Sequence, residues 1–408
     1  MGKFRRKNKQ VRFHDHLHGH GHSQPRLPKP TRNSLNQGLG AAKAAKNDEF
    51  YTQYVDIQKE VEAYLDADTF RGKVVYCNCD DPFESNFFKY FAANFNKLGL
   101  KKIVTTGYDG STIAGQLTLF PEYNEGNGKR QKPKAVAVIL DHVKDEDGAA
   151  NVTDVDLFLK RNKAARIALK ADDKYPGGDF RSAECMALLK EADIVVTNPP
   201  FSLFREYFAQ LVEHGKKFLI IGNVQAITYK EVFPHIKADN LWMGVTIHSG
   251  REFRVPDHYP LKAAGSRVDE NGVKYIRVNV RWWTNLYHGR RHQQLPLMTM
   301  EDNLKFSKHK QIKGKAAYDR YDNYDAIEVP FTDAIPSDYD GVMGVPITFL
   351  DKYNPDQFEI LSSNDIRTNP NVPYKEHGLI KDKDSAINGK PTYVRIVIRH
   401  RRARRAKG

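Results

Sequence analysis

Short apolar runs alternate with amphipathic segments along residues 47–234, and this rhythm predicts an α/β fold. The runs "KVVYCNC" (73–79), "DIVVT" (193–197) and "KKFLIIGN" (216–223) are rich in strand-forming residues. Between the first two, aromatic and aliphatic side chains over residues 87–98 recur at three- and four-residue steps, as on one face of a helix. Strands that alternate with helices favour a parallel sheet. We therefore predict a doubly wound α/β domain over residues 47–234.

Beyond residue 235 the helical spacing gives way to strand-like alternation. The segment "DENGVKYIRVNVRWW" contains Asn271-Gly272, a strong hairpin signal. In the strand that follows, apolar side chains at even positions from 276 to 282 alternate with basic, polar and aromatic ones at odd positions. Such a strand suits a sheet that packs one face on a core and turns the other to an anion. We predict a β-rich domain over residues 235–400.

Charge is concentrated at the two ends of the chain. The 408 residues carry a formal charge of +14, of which residues 1–46 supply +10 and residues 401–408 supply +5. The first segment also places histidines at every second position from 14 to 22 and is rich in proline. We predict a disordered basic arm over 1–46 and a basic tail over 401–408. The remainder is close to neutral, so a basic groove there must be local.

Cysteine content and hydropathy restrict the compartment. The three cysteines are too few for a disulfide framework, so a reducing compartment is expected. Cys77 and Cys79 are expected on one face of a strand, as buried thiols. The sequence has no apolar run of about 18 residues and no signal peptide. We expect a soluble, cytoplasmic protein without a metal centre in its body.

The turn "TNPPF" follows the strand "DIVVT" and carries the candidate chemistry. In an open parallel sheet, ligands bind outside the carboxyl ends of the strands. Pro199 and Pro200 stiffen the turn and remove two backbone donors, so its carbonyls face outward as acceptors. The Asn198 side-chain oxygen and the Pro199 carbonyl would accept both N–H bonds of an exocyclic amine, and Phe201 would stack on its ring. This arrangement predicts attack by an amine through positioning and electrostatics.

The string "DIVVTNPPF" resembles the catalytic tetrapeptide of amino-methyltransferases that use S-adenosylmethionine (SAM). Together with "DEFYTQ" (48–53), "YCNCDDPFESNFFKYF" (76–91) and "GVMGVPITFLDKYNPDQFEI" (341–360), it resembles the EcoRI-type adenine-specific DNA methyltransferases. The resemblance implies a Rossmann-like SAM-dependent domain, a C-terminal target-recognition domain and N6-methylation of adenine at a defined DNA sequence. It also implies that Asn198 and Pro199 bind the target amine, that Pro200 keeps the turn rigid and that Phe201 stacks on the flipped adenine.

The same resemblance implies the cofactor contacts. They are a first-strand loop, a segment near the methionine end of SAM and an acidic-aromatic pair near its adenine. The residues are Asp80, Asp81, Pro82 and Phe83, then Tyr51 and Thr52, then Asp179 and Phe180. The loop after the first strand, "DPFESNF", contains no glycine, unlike that of many amino-methyltransferases. Side chains must therefore bind SAM there, or the loop must approach it less closely.

The β-rich domain is expected to read double-stranded DNA, because arginine, asparagine and glutamine side chains recognise base edges and arginine also binds phosphates. The candidate contacts in "RVNVRWWTNLYHGRRHQQ" are Arg277, Arg281, Trp283, Arg290 and Arg291. The basic ends would add salt-dependent affinity. A restriction endonuclease of the same system would be a further partner without a stable complex. Three alternatives stay open: an RNA-base methyltransferase, a protein-glutamine methyltransferase and an inactive DNA-binding module.

Overall fold

An eight-stranded mixed sheet forms the centre of the fold. The computed structural model describes residues 52–65, 68–80, 85–108, 135–143, 166–246, 251–255, 261, 266–322, 324–363 and 386–401. In spatial order the strands are β4 (Arg166–Ala168), β3 (Val136–Leu140), β2 (Lys102–Thr106), β1 (Val74–Asn78), β5 (Ile194–Thr197), β6 (Lys217–Asn223), β11 (Val280–Thr284) and β7 (Trp242–Met243).

The four central strands are parallel. β1 pairs with β2 on one side and with β5 on the other, and β5 pairs with β6. β3 and β4 extend the sheet antiparallel beyond β2, while β11 and β7 extend it antiparallel beyond β6. The chain winds outward in opposite directions from β1 and β5, which makes the gap between their carboxyl ends the topological switch point.

Helices cover both faces of this sheet, which confirms the doubly wound α/β prediction. On one face, the helix side chains Ile57, Phe87 and Phe91 share a buried cluster with Val75 and Cys77 of β1. On the other face, the buried cluster joins side chains of three further helices to alternate residues of the same strands. The first face carries α1 (Tyr54–Glu62), α2 (Asn86–Ala93) and α3 (Phe95–Leu98), and the second carries α4 (Ala183–Glu191), α5 (Phe204–Glu213) and α6 (Phe233–Lys237).

Three smaller sheets and one more helix follow. The helix is α7 (Met300–Phe306), and short 3-10 helices include Phe201–Leu203, Val224–Thr228, Gly289–His292, Thr332–Ala334 and Ile347–Lys352. One sheet contains β8 (Arg251–Arg254), β10 (Lys274–Val278) and β9 (Arg267–Val268). Another contains β12 (Ile327–Glu328), β13 (Met343–Pro346), β17 (Arg395–His400) and β14 (Phe358–Ser363). The last is the hairpin of β15 (Ala386–Ile387) and β16 (Lys390–Pro391).

The strand predicted to run from 275 to 283 is in fact two strands of different sheets. The strand is interrupted at Asn279, so that β10 belongs to the three-stranded sheet and β11 belongs to the central one. The boundary predicted at residue 234 therefore does not separate the sheets, because β7 and β11 complete the central sheet from the far side of it. The four-stranded sheet also contributes Met343 and Ile396 to the cluster that contains Tyr207 of α5, so the β-rich part shares a core with the central sheet.

The cysteine prediction was wrong for one residue. Cys77 is buried in the cluster on one face of β1, whereas Cys79 packs against the cluster on the other face. Cys79 follows the strand and has a φ of 62°, which interrupts the alternation that would have placed both thiols together. Burial raises the pKa of the Cys77 thiol well above its ordinary value, so this thiol is neutral.

The described ranges contain neither a membrane-spanning helix nor a metal-binding cluster. No helix there is long and apolar enough to cross a membrane. No group of three or more histidine, cysteine, aspartate or glutamate side chains within the same ranges is placed to hold a metal ion. The basic arm with its histidines and the tail beyond residue 401 lie outside the described residues.

Candidate active site

The candidate site is built on the carboxyl ends of β1, β2 and β5. Parallel strands end at the same edge of a sheet, and Asn78 at the end of β1 lies opposite Thr106 at the end of β2. Cys79 then adopts the left-handed conformation, which a residue with a side chain adopts at a cost of about 1–3 kcal/mol. The turn directs Asp80 back over the strand ends, where its backbone N–H donates to the Thr106 carbonyl at 3.2 Å. The Thr105 hydroxyl donates to the Asp80 carbonyl at 2.8 Å.

The carboxylate of Asp80 joins three elements. It is buried, and its Oδ1 atom accepts a hydrogen bond from the Ser85 hydroxyl at 3.0 Å. Ser85 in turn caps α2 by accepting from the Phe87 N–H at 3.1 Å. The Thr197 hydroxyl, at the end of β5, donates to Asp80 Oδ2 and also contacts the Asn78 carbonyl. Since a hydroxyl has one proton, Thr197 shares it between these two acceptors.

The predicted catalytic turn begins directly after Thr197. Asn198 and Pro200 are half-buried and Pro199 is buried. The structure therefore brings Asn198 within one residue of a hydroxyl that is hydrogen-bonded to Asp80, at the switch point of the sheet. The Pro200 carbonyl accepts from the Leu203 N–H at 3.0 Å, which closes the short 3-10 turn before α5.

Phe201 starts that 3-10 turn and is 9% exposed. It belongs to the same buried cluster as Phe87 and Trp282, so most of its surface is covered in the free protein. Stacking of Phe201 on an adenine therefore stays a prediction.

Tyr207 anchors α5 beneath the end of β1. Its hydroxyl donates to the Asn78 side-chain oxygen, and its ring meets that of Phe180 edge to face at 5.0 Å between centroids. Burial raises the pKa of Tyr207 well above its ordinary value, so the phenol stays a neutral donor. Reading of the sequence alone missed the supporting residues Asn78, Ser85, Thr197 and Tyr207. A usable signal was a polar residue at the last position of an apolar strand, as at Asn78 and Thr197.

The segment "GGDF" packs on the end of β2. A Cβ atom on Gly178, whose φ is 76°, would lie 2.1 Å from the Gly107 carbonyl oxygen, so only glycine permits this approach. The approach places Asp179 and Phe180 beside the strand ends, both buried. Arg181 already engages the Asp179 carboxylate through Nε at 2.9 Å and Nη2 at 2.8 Å. A ligand that used Asp179 would share it with Arg181.

Thr52 supplies a second polar group beside the start of α2. Its carbonyl accepts from the Asn86 side-chain amide at 2.7 Å, and Asn86 is the residue after Ser85. The Thr52 hydroxyl is buried and has no hydrogen-bond partner among the residues that the structure describes. A buried hydroxyl without a partner points to a ligand. Tyr51, Asp81, Pro82 and Phe83, the other predicted cofactor contacts of this region, lie outside the described residues.

These groups fit a nucleoside-type cofactor such as SAM. A buried carboxylate at the end of the first strand suits ribose hydroxyls or an amino group, both of which donate hydrogen bonds. The unsatisfied Thr52 hydroxyl adds a donor or acceptor nearby, and Phe180 adds an aromatic ring at the neighbouring strand end. The site thus brings polar groups to the switch point, with the buried ring of Phe180 beside them.

Three of the predicted DNA contacts are buried instead. Arg281 is 2% exposed, and its guanidinium pairs with Asp351 through Nε at 2.7 Å and Nη2 at 3.0 Å. Trp283, in the same strand, is fully buried. Arg291 pairs with Asp239 and lies 3.6 Å over the ring of Trp242. Arg281 and Trp283 lie on a strand of the central sheet, and Arg291 lies in the 3-10 turn that follows it. These side chains therefore stabilise the fold of the free protein.

Arg277 and Arg290 are the predicted DNA contacts that remain exposed. Arg277 lies on β10, outside the central sheet. Arg290 donates through Nη1 to the Val245 carbonyl at 2.8 Å, which leaves other N–H groups of its guanidinium for a further partner.

A doubly wound sheet with an Asn-Pro-Pro-Phe turn at its switch point and a buried acid at the end of its first strand defines the class of Rossmann-like amino-methyltransferases. The model of the family described as "Adenine-specific methyltransferase EcoRI" matches residues 38–401. The chain belongs to this family.

Curated relatives agree with the family match. The sequence is 44% identical over 379 residues to the Type II methyltransferase M.EcoRI of Escherichia coli, covering 91% of this chain and 98% of that protein. It is 35% identical over 371 residues to the Type II methyltransferase M.MpnI of Mycoplasma pneumoniae, covering 88% and 97%. The likeness extends over the β-rich part as well as the central sheet.

Proposed function

We propose that this protein is a site-specific DNA methyltransferase that transfers a methyl group from SAM to the N6 amine of an adenine. The proposal rests on one observation: a hydrogen bond joins the strand end that carries the predicted catalytic turn to the predicted cofactor site. Thr197, one residue before Asn198, is hydrogen-bonded to the buried carboxylate of Asp80. An amine held by Asn198 and a cofactor held by Asp80 would therefore lie at one edge of the sheet.

The cofactor would be held by Asp80 and Thr52, with Asp179 and Phe180 at the neighbouring strand end. Ser85 and Thr197 keep the Asp80 carboxylate oriented, because each contacts a different oxygen of it. When bound, SAM would supply an electrophilic methyl group on a sulfonium centre. The remainder of the cofactor would then be released as a neutral thioether.

The turn would prepare the amine for attack. The Asn198 side-chain oxygen and the Pro199 carbonyl would accept its two N–H bonds, which favours a tetrahedral nitrogen and reduces delocalisation of its lone pair into the ring. Asn198 Oδ1 is shielded from solvent, so a hydrogen bond made there competes little with water. With SAM bound, the N–C bond would form as the C–S bond breaks, and the proton lost from the methylated amine would pass to water. Pro200 keeps both acceptors in place.

The adenine must leave the duplex to reach this edge. Extrusion costs a few kcal/mol, which stacking and edge contacts in the pocket repay. Phe201 would provide such a stacking face, either through its exposed part or after a shift of the Phe201–Leu203 turn. We propose double-stranded DNA in the bacterial cytoplasm as the partner, and a restriction endonuclease of the same system stays a prediction.

RNA-base and protein-glutamine methyltransferases would use the same turn, and an inactive module would keep only the fold. Membership of the EcoRI family of adenine-specific methyltransferases, with relatives named Type II methyltransferases, favours adenine in DNA as the target. Transfer of labelled methyl groups from SAM to plasmid DNA, RNA and protein in parallel separates the possibilities. We expect label in DNA, recovered as N6-methyladenine. Label elsewhere, or none with DNA binding retained, contradicts the assignment.

The role of Asn198 is tested by the Asn198→Ala variant. We expect its kcat to fall by about 10²–10³-fold, since removal of one positioned polar group costs roughly 2.7–4 kcal/mol of transition-state stabilisation. The Kd for SAM should stay within about twofold, because SAM is assigned to other residues. Asn96→Ala is the matched control, since Asn96 is exposed and lies on α3, before β2 begins. Normal turnover in Asn198→Ala would contradict the assigned role.

A further inference from the structure

The three-stranded sheet β8-β10-β9 projects from the edge that carries Asn198. β11 runs antiparallel to β6, and Val280 at its start lies opposite Asn223 at the carboxyl end of β6. Asn279 just before it accepts from the Val224 N–H at 3.1 Å. β10 ends one residue earlier, at Val278, so the end of β10 lies at the same edge of the central sheet as the end of β5.

The inner face of this small sheet packs on the core that also contains Phe201. Phe253 of β8 and Ile276 of β10 are directly paired across the strands, and both are buried. They belong to the same cluster as Phe201. The small sheet therefore shares an apolar core with the residue that follows Asn-Pro-Pro.

The outer face of the sheet is basic and aromatic. Arg254, Tyr275 and Arg267 lie side by side across β8, β10 and β9, and Glu252 pairs with Arg277 in the next row. The guanidinium of Arg267 lies 4.4 Å over the Tyr275 ring and pairs with Glu252 at 2.8 Å. Three arginines and one glutamate leave this face with an excess of positive charge, although the body of the chain is close to neutral.

Two carboxylates of α1 hold the segment that leads into the sheet. Glu60 is fully buried, and it accepts from the Val245 N–H at 2.7 Å and from the Thr246 N–H and hydroxyl at 2.8 and 2.6 Å. Asp56, one turn earlier on α1, lies 3.7 Å from Arg251 at the start of β8. The sheet is thus fixed to the helix that begins two residues after Thr52, so its outer face is preorganised.

We infer that this outer face, formed by Glu252, Arg254, Arg267, Tyr275 and Arg277, is the surface on which the DNA duplex rests beside the extruded adenine. Guanidinium groups bind phosphate oxygens through paired N–H donors. Arg254 and Arg277 contact the phosphates, while Glu252 and Tyr275 hold Arg267 in position. The inference rests on the proposed function, because it assumes that the nucleic acid at this edge is duplex DNA.

The test compares duplex binding by the full chain and by the variant Arg254→Gln/Arg277→Gln. The probe is a fluorescent duplex oligonucleotide taken from a plasmid region that the wild-type protein methylates, titrated at several salt concentrations. Loss of two phosphate contacts should weaken binding by about tenfold or more and lower the slope of log K against log salt by about 2. The Kd for SAM should stay within about twofold of wild type, because SAM is assigned to other residues.

Arg399→Gln is the matched control. Arg399 lies on β17, is exposed and lies opposite Glu359 across the strands, much as Arg277 is exposed and lies opposite Glu252. We expect its affinity and its salt slope to match those of wild type. Unchanged affinity and slope in the double variant would overturn the inference. An equal loss in Arg399→Gln would also overturn it, since any surface arginine would then suffice.

A loss confined to one base position, with the salt slope unchanged, would show base reading and overturn the phosphate assignment. Failure of the proposed function looks different. In that case wild-type protein transfers no label to adenine, whatever the arginine variants do to binding. The charge-conserving variant Arg254→Lys/Arg277→Lys keeps two cations on the face, so it should retain most of the salt slope. A Lys variant as weak and as flat in slope as the Gln variant would contradict phosphate contact.

Discussion

β10 and β11 are consecutive strands with the same alternation of arginine and aromatic residues, yet they lie in opposite environments. β10 turns Tyr275 and Arg277 outward from a small sheet. β11 places Arg281 and Trp283 between β6 and β7, under cover on both faces. Asn279 separates the two.

A strand that carries arginines is therefore a candidate for DNA contact only if no other secondary-structure element covers the face from which those arginines project. A buried guanidinium must be paired, and Arg281 is paired with Asp351 of the Ile347–Lys352 helix. Arg277 needs no such partner, because water solvates it. The same residue type therefore stabilises the junction of two sheets at one position and faces the solvent four residues earlier.

The largest expected effect comes from Arg281→Met. This change leaves the buried Asp351 carboxylate without its partner, which typically costs about 3–5 kcal/mol of unfolding free energy. Denaturant unfolding at pH 7 measures the loss. Arg281→Met/Asp351→Leu should recover most of it, since an apolar pair of similar volume replaces the ions. A single variant as stable as wild type, with weakened DNA binding, would return Arg281 to the DNA surface.

His288 gives an effect of intermediate size. It follows β11, it is 6% exposed, and its Nε2 donates to the Met243 carbonyl at 3.0 Å. Burial, with a smaller contribution from Arg291 and Arg290, lowers the pKa of His288 to about 4. The folded protein holds the ring neutral, while the unfolded chain protonates it below about pH 6.5. Its contribution is therefore complete above pH 6.5 and is lost as the pH falls towards 4.

We accordingly expect wild-type stability to fall by about 1.4 kcal/mol per pH unit below 6.5 from this group alone. Comparison with His288→Gln at pH 7 and pH 5.5 isolates that share, because all other groups titrate in both proteins. A neighbouring DNA phosphate would instead raise the pKa of an exposed histidine. Identical pH dependence in the two proteins would show that His288 is not buried as described, and would weaken the contrast between β10 and the segment after β11.

The smallest expected effect is that of Arg277→Gln on stability. Surface substitutions usually stay within about 0.5 kcal/mol, and Arg277 is exposed at the outer face of β10. Denaturant unfolding of this variant beside Arg281→Met tests the comparison directly. A loss for Arg277→Gln as large as that for Arg281→Met would mean that both strands are structural.

The α/β rhythm could be predicted from the residue pattern alone, as could the amphipathic α5 and the position of the Asn-Pro-Pro-Phe turn after a buried strand. These features are local, since side-chain period and turn chemistry act within a few residues. Parallel strands also end at one edge, so Asp80 and Asn198 could be assigned to the same side of the sheet without coordinates. The supporting residues could not be predicted in the same way. Ser85, Thr197 and Tyr207 lie on other elements, and only the packing of those elements brings them within hydrogen-bond distance of Asp80 and Asn78.

Three-dimensional packing determines which arginines face the solvent. The alternation of side chains along a strand shows which of them share a face. The residues that cover that face come from segments distant in sequence, as Asp351 pairs with Arg281. Packing also determines that β7 and β11 complete the central sheet, since strand order depends on which edges remain free after β6 has formed. Burial of a charge is a property of its neighbours, and the neighbours here lie about seventy residues away along the chain.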